Sequence, residues 1–405
     1  MNYLFVHQNF PGQFLHIARA LANQSGHRVV AIADQANLSA RPLYHPGISV
    51  YGYGLKKKGQ SDTHPYLLGL ELQIARGQAV ARLALELKKK GFEPEIVLAH
   101  PGWGEALFLK DIFPQAKHIS YFEFYYRSEG SDVNFDPQMP SSIDDLLKLR
   151  IRNSAQLHAL ISADMGVSPT HWQRKQYPDD LINKIQVLHE GIDTTAIHAD
   201  PAAALIWKNN KFHAGQEIIT YVARNLEPYR GFHVFMQSLP TLLAQRPNAV
   251  VLIVGGDGVS YGRQLPEGQN YRQKYIEAAN GSVDWSRVHF LGKLPYASYL
   301  KVLQISSVHV YLTYPFVLSW SFLEAMSVGC AIVASNTAPV QEVVEDQNQA
   351  LLFDFFDSKA LVEKVVSMLT RPNEFASMRK RARDTAVSKY DLSTVCLPQW
   401  LQILR

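Results

Sequence analysis

Apolar residues along this chain fall into two alternating patterns. Residues 3–6, 29–33, 48–55 and 95–99 are short, nearly continuous apolar runs, as in strands buried on both faces of a parallel sheet. Between them, apolar positions recur every three or four residues. Phe14, Leu15, Ile17, Ala18 and Leu21 form one such helical face, and Leu68, Leu72, Ala75, Ala79, Leu83 and Leu87 form another. The longer pattern, over 65–90, closes on Lys88-Lys89-Lys90-Gly91, cations at a helix C-terminus and then a Gly stop. The alternation continues with a strand over 118–126, a helix over 142–163 opened by a Ser142–Asp145 capping pair, a strand over 165–168, a helix over 171–177 and a strand over 185–188. It lapses over 194–216, where no strand is evident. It restarts with strands at 218–223, 249–254, 288–291, 308–312, 331–334 and 351–355, with helices between most of them. Helices over 358–369 and 373–389 precede a last apolar one over 394–404. The pattern predicts an α/β protein with two parallel sheets joined through 194–216.

Composition narrows the class. A chain of 405 residues exceeds one ordinary core, so two domains of roughly 200 residues each are expected. Apolar residues at 47% and charged residues at 19% are ordinary globular values. A net charge of +4 argues against a dedicated nucleic-acid binder. The two cysteines, Cys330 and Cys396, make neither a disulfide framework nor a metal-ligand spacing, which fits a reducing cytoplasm. The first residues lack a basic n-region and read as a strand rather than a signal peptide, and no window approaches a membrane-spanning length. The lysine triplets at 56–58 and 88–90 suit either a solvated surface or weak contact with anionic lipid at the inner membrane face.

Chemistry-bearing residues gather at predicted strand ends, where α/β folds bind ligands. The first strand runs into His7-Gln8-Asn9-Phe10-Pro11-Gly12-Gln13, a Rossmann-like strand–Gly loop–helix opening without the dinucleotide fingerprint. The strand over 95–99 delivers His100-Pro101-Gly102-Trp103-Gly104-Glu105. The next ends in Tyr121-Phe122-Glu123-Phe124-Tyr125-Tyr126, rings near a carboxylate that suit either sugar binding or a half-buried edge. In the second half, Arg224 follows one strand and Arg230 lies six residues on. Ser319 opens a helix after another, with Glu324 in its middle and Gly329 just past its end. Two arginines and free helix amides match the charge that grows on a leaving diphosphate. No Asp-x-Asp occurs in the chain, so the expected site works without metal.

Phe322-Leu323-Glu324-Ala325-Met326-Ser327-Val328-Gly329-Cys330-Ala331-Ile332-Val333-Ala334-Ser335 resembles the donor-site signature of retaining GT-B glycosyltransferases of family four, group 1. The loop from Arg224 to Gly231 is similar to that family's Arg-…-Lys-Gly loop, with Arg230 in the Lys position. Val254-Gly255-Gly256-Asp257-Gly258 and Phe290-Leu291-Gly292 resemble its next two elements. Within the family, the HPGWGE and LSWSFLEAM wording is nearest to exopolysaccharide-type transferases.

The resemblance implies two Rossmann-like lobes facing across a cleft: an acceptor-side domain over 1–195, a nucleotide-sugar domain over 196–389, and a final helix over 390–405 crossing back to the first. It implies transfer with retention from a nucleotide-diphosphate sugar, UDP favoured over GDP, to a glycan, lipid-linked or small-molecule acceptor, with neither metal nor pyridoxal cofactor. Carried over, Arg224 and Arg230 contact the diphosphate, amides around Ser319 and Trp320 assist them, and Glu324 holds the ribose hydroxyls. Gly256, Leu294 and Leu318 complete the donor side. Gly12, Gln13, His100, Trp103 and Glu123 line the acceptor side, with His100 near the donor sugar. One departure stands out. The family pairs two glutamates eight positions apart, and eight before Glu324 stands Phe316. Either backbone groups at Val317 and Leu318 take over, or donor choice and even activity differ. A non-catalytic nucleotide or sugar binder and a GT-B epimerase are the alternatives.

Overall fold

The computed structural model describes residues 1–40, 45–55 and 63–405. The lysine triplet at 56–58 lies outside the described residues. Two units divide the chain, residues 1–191 with 393–405 and residues 192–392.

The first unit holds seven parallel strands, β1 (Asn2–Val6), β2 (Arg28–Asp34), β3 (Ile48–Tyr53), β4 (Ile96–Ala99), β5 (Lys117–Tyr121), β6 (Met165–Ser168) and β7 (Ile185–Val187), in the order β3-β2-β1-β4-β5-β6-β7. Alternate side chains of one strand enter different cores. Tyr3 and Phe5 pack with Phe14, Ile17 and Leu21 on one face, while Leu4 and Val6 pack with Val80, Ala84 and Leu87 on the other. Burial on both faces explains the continuous apolar runs. The C-terminal helix Leu397–Ile403 joins the first of these cores through Trp400, whose indole N–H donates to the His189 carbonyl at 3.0 Å.

The second unit begins with an antiparallel hairpin, β8 (Ala204–Trp207) and β9 (Asn210–His213). Six parallel strands follow: β10 (Ile218–Asn225), β11 (Val250–Gly256), β12 (Val288–Gly292), β13 (Val308–Tyr311), β14 (Ile332–Ser335) and β15 (Leu351–Phe353), in the order β12-β11-β10-β13-β14-β15. The hairpin corrects the expectation that 194–216 carries no strand. Leu205 and Phe212 face a core with Ile218 and Val302 while their neighbours stay outside, and a half-buried run this short shows little periodicity.

Two further expectations fail for local reasons. The helix expected over 142–163 is two, Ile143–Arg152 and Ser154–Ser162, broken where the Asn153 side chain bonds both backbone groups of Tyr126 (3.1 and 2.8 Å). Its capping box at Ser142 and Asp145 is present. The strand expected over 118–126 ends at Tyr121, so the aromatic run after it is a loop.

In each sheet the connections reverse direction once, between β1 and β4 in the first and between β10 and β13 in the second. The carboxyl edge at such a switch point is where an open α/β sheet leaves a crevice.

Candidate functional site

At the second unit's switch point, β10 leads into a tight turn, Pro228–Arg230, closed by Gly231. Gly231 has φ +68°, and a Cβ there would lie 2.3 Å from the Leu312 Cβ, so only glycine lets this turn sit against the end of β13. The turn buries Arg230, 8% exposed. One guanidinium nitrogen donates to Thr313 Oγ1 at 2.7 Å and to the Val317 carbonyl at 2.9 Å. The Tyr221 hydroxyl donates to the Arg230 carbonyl at 2.5 Å. The arginine is therefore fixed by the loop after β13 while its other nitrogens can still serve an anion.

Arg224, near the end of β10, is exposed and has no hydrogen-bond or ion-pair partner among the described residues. On β11, a Cβ at Gly256 would approach Lys293 Cε to 2.4 Å and Asn225 Oδ1 to 2.8 Å, so this glycine leaves room for a lysine beside an amide. Lys293 is a cation the sequence reading passed over. Leu294 packs against the hairpin's core and Leu318 against the core under the next helix, so both have apolar roles.

That helix, Trp320–Val328, starts from Ser319 and ends at Gly329 with φ +78°. Its first amides differ from expectation. The Ser319 N–H donates to Tyr311 Oη at 2.9 Å, and Ser319 Oγ accepts from Ser321 N at 3.4 Å. The Ser319 amide is thus engaged inside the protein, and Trp320 is the one exposed residue of an otherwise buried helix. Glu324, one turn deeper, is buried and accepts from the Tyr296 hydroxyl at 2.8 Å and from Tyr299 at 2.5 Å. Burial raises its pKa, and the two phenol hydrogen bonds pull the other way. Each carboxylate oxygen keeps a second lone pair, so a diol can still bind there. Tyr296 is 56% exposed, which puts this pair within reach of a ligand.

Phe316 is buried among rings. Tyr229 lies edge-on at 5.6 Å and Tyr261 at 4.8 Å, and Tyr229 stacks on Tyr314 at 4.8 Å. Tyr261 belongs to the segment between β11 and the helix Tyr271–Ala278 and is held there by Glu227. That carboxylate, 1% exposed, accepts from the amides of Ser260, Tyr261 and Gly262 at 3.0, 3.1 and 2.8 Å. A buried carboxylate needs this many donors to offset its lost hydration. The sequence reading missed Glu227, because its partners lie more than thirty residues away. Glu227→Gln replaces one acceptor oxygen with an NH2 facing amide donors, which costs about 1–3 kcal/mol. Its melting temperature is expected to fall and proteolysis between 258 and 270 to accelerate; parental behaviour in both assays would show that the three bonds contribute nothing.

The first unit's switch point builds a separate cluster. His7 Nδ1 accepts from Asn9 N at 2.9 Å, so Nε2 carries the proton and donates to Gln13 Oε1 at 2.7 Å. Gln13 Nε2 donates in turn to Glu123 Oε1 at 3.1 Å. His100 repeats the arrangement: Nδ1 accepts from Gly102 N at 3.2 Å, and Nε2 lies 3.5 Å from Glu123 Oε2. Trp103 stacks on His100 at 4.2 Å. A Cβ at Gly12 would fall 2.5 Å from His7 Cε1, so this glycine admits the ring. Burial, then the neighbouring His100, holds the His7 pKa down at about 3, so the imidazole is neutral. Gly12, Gln13, His100, Trp103 and Glu123 thus come together around His7, which the sequence analysis did not single out.

Two Rossmann-like parallel-sheet lobes, each with polar groups at its switch point, define the GT-B class of glycosyltransferase. A family model described as "Glycosyl transferase family 4 group" matches residues 25–197, and one described as "Glycosyl transferases group 1" matches residues 205–385. The chain belongs to this family of glycosyltransferases. Spore coat protein SA of Bacillus subtilis is 22% identical over 223 residues, spanning about half of each chain, 51% of this one and 55% of that one. Among solved structures, sucrose-phosphate synthase from Thermosynechococcus elongatus superposes with a TM-score of 0.72 at 17% identity, covering 100% of this chain and 98% of that one. The Anabaena protein HepE, in complex with UDP and glucose, gives 0.69 at 16% identity over 100% and 99%. No helix among the described residues is long and apolar enough to cross a membrane.

Proposed function

We propose that this chain transfers a sugar from a UDP-linked donor to a hydroxyl of a carbohydrate or lipid-linked acceptor, with retention and without metal. The observation that carries the reading is Arg230, a buried guanidinium fixed by Thr313 and Val317 at the second unit's switch point. A guanidinium held in advance stabilises charge as it develops on the leaving diphosphate. Arg224 adds an exposed positive charge at the end of the same strand, and Glu324 offers lone pairs to a ribose diol. In the proposed step, the bond between the anomeric carbon and the diphosphate oxygen breaks while the acceptor oxygen attacks the same face. The acceptor's proton passes to the departing diphosphate. HepE, solved with UDP-glucose, supports a UDP-linked donor here.

The buried Phe316 favours a second reading, a nucleotide-sugar binder without turnover, because a side chain expected to be a carboxylate is a ring. Calorimetric titration with UDP followed by a donor-hydrolysis assay separates the two. The enzyme reading expects UDP binding and slow hydrolysis of a UDP-sugar that EDTA leaves undiminished. Strict dependence on added divalent cation would refute the metal-free step, and UDP binding without hydrolysis or transfer to any acceptor would establish the binder.

A further inference from the structure

We propose that Tyr229, Tyr261 and Phe316 form the wall against which the donor's sugar lies. In this inference, which rests on the donor-site reading above, the wall selects sugars by apolar surface and favours an N-acetylated hexosamine over the plain hexose.

The wall's position follows from Arg230. Its guanidinium carbon is 5.6 Å from the Tyr261 ring centre, and its anchor, the Val317 carbonyl, is one residue from Phe316. Whatever is attached to a diphosphate held by Arg230 lies within a sugar's length of these rings. Phe316 is 2% exposed, so it acts as the base on which the two half-buried tyrosines rest, and they present the ligand-facing surface. The Glu227 clamp on the amides of 260–262 fixes Tyr261 in that place.

The chemistry of this surface sets its preference. The carboxylate beside these rings, Glu227, is committed to three amides, and Glu324 is assigned to the ribose diol. Aromatic faces reward C–H and methyl groups, whereas a hydroxyl against a ring loses water without a charged partner. An acetamido group supplies a methyl for the rings that the plain hexose lacks. One additional methyl-sized contact in an apolar site is worth ~10-fold or more in discrimination.

The test titrates the full chain with UDP, UDP-glucose and UDP-N-acetylglucosamine. The parent is expected to bind the N-acetylated donor ~10-fold tighter than UDP-glucose. Tyr261→Ala should bring that ratio close to one, and Phe316→Glu should shift it toward UDP-glucose. Tyr261 lies on a half-buried loop, so its variant keeps the test open should Phe316→Glu fail to fold. UDP binding with a parental ratio near one, or a ratio that survives Tyr261→Ala, would overturn the wall alone. Absence of UDP binding would overturn the donor-site reading with it.

Discussion

Arg230→Ala is expected to lower transfer, or donor hydrolysis, by ~10²–10³-fold, the usual loss when a preorganised donor to developing charge is removed. The residue is buried and its geometry is set by Thr313 Oγ1 and the Val317 carbonyl, so alanine removes a charge already in place. It also leaves those two acceptors without their donor, which costs some stability. Arg230→Lys separates the contributions. Lysine keeps the charge but is a single point donor, unable to span both anchors and the diphosphate as a guanidinium does. Its loss should be intermediate. Arg224→Ala removes an exposed charge with no partner among the described residues and should cost less, about 10–100-fold, as for one charge-assisted hydrogen bond. The comparison is made in kcat/KM and in UDP affinity. If Arg230→Ala binds UDP as tightly as the parent, the guanidinium does not touch the diphosphate.

What could be read in advance was local. Apolar periodicity placed most parallel strands, the Ser142–Asp145 pair announced its capping box, and Gly329 marked the end of its helix. Polar residues falling at strand ends then pointed to the two switch points before the strand order was known. What stayed hidden depends on distant partners. Gln13 meets Glu123 across 110 positions, and nothing near Glu227 in sequence announces that its carboxylate is spent on 260–262. The Ser319 amide looked available because helix starts leave amides open, but a tyrosine from the preceding strand takes it. Asn153 breaks a helix for the same reason: its partner, Tyr126, is far away in sequence. Phe316 is the instructive mixture. Its identity was plain in the sequence, but that it lies beneath two tyrosines instead of facing a ligand belongs to the packing.

Acidification from pH 7.5 to 5 should destabilise the protein by several kcal/mol, and the first unit more than the second. Five histidines resist protonation: burial lowers His118 in the first unit and His289 in the second, and it acts most strongly on three others. Burial, with His100 beside it, holds His7 at about 3, and burial alone holds His189 at about 4 and His309 at about 3. In the unfolded chain each titrates near 6.5. Above that value neither state binds the proton, and the histidines contribute no pH dependence. Below it the unfolded chain takes up protons that the folded chain refuses, so stability falls by about 1.4 kcal/mol per pH unit for each residue until the folded pKa is reached. Glu105 and Glu324 act in the opposite sense. Burial raises both, so they take up protons when folded before they would unfolded, which restores some stability as the pH falls through their folded values. At pH 5 His7 and His189 together cost roughly 4 kcal/mol in their unit and His309 roughly 2 kcal/mol in its own, against a usual domain stability of about 5–15 kcal/mol. Calorimetric melting should therefore show the first unit's transition moving down by roughly 10 °C and the second's by about half as much. His309→Phe tests the cause. It removes a ring whose Nε2 is buried without a partner, and Thr220, which loses the contact to Nδ1, keeps its bond to Ser306. This variant should make the second unit's pH response shallower, leaving the contribution of His289, and keep the first unit's slope intact. Melts that coincide at pH 7.5 and 5, or a second-unit slope unchanged by the substitution, would show that these histidines do not set the acid limit.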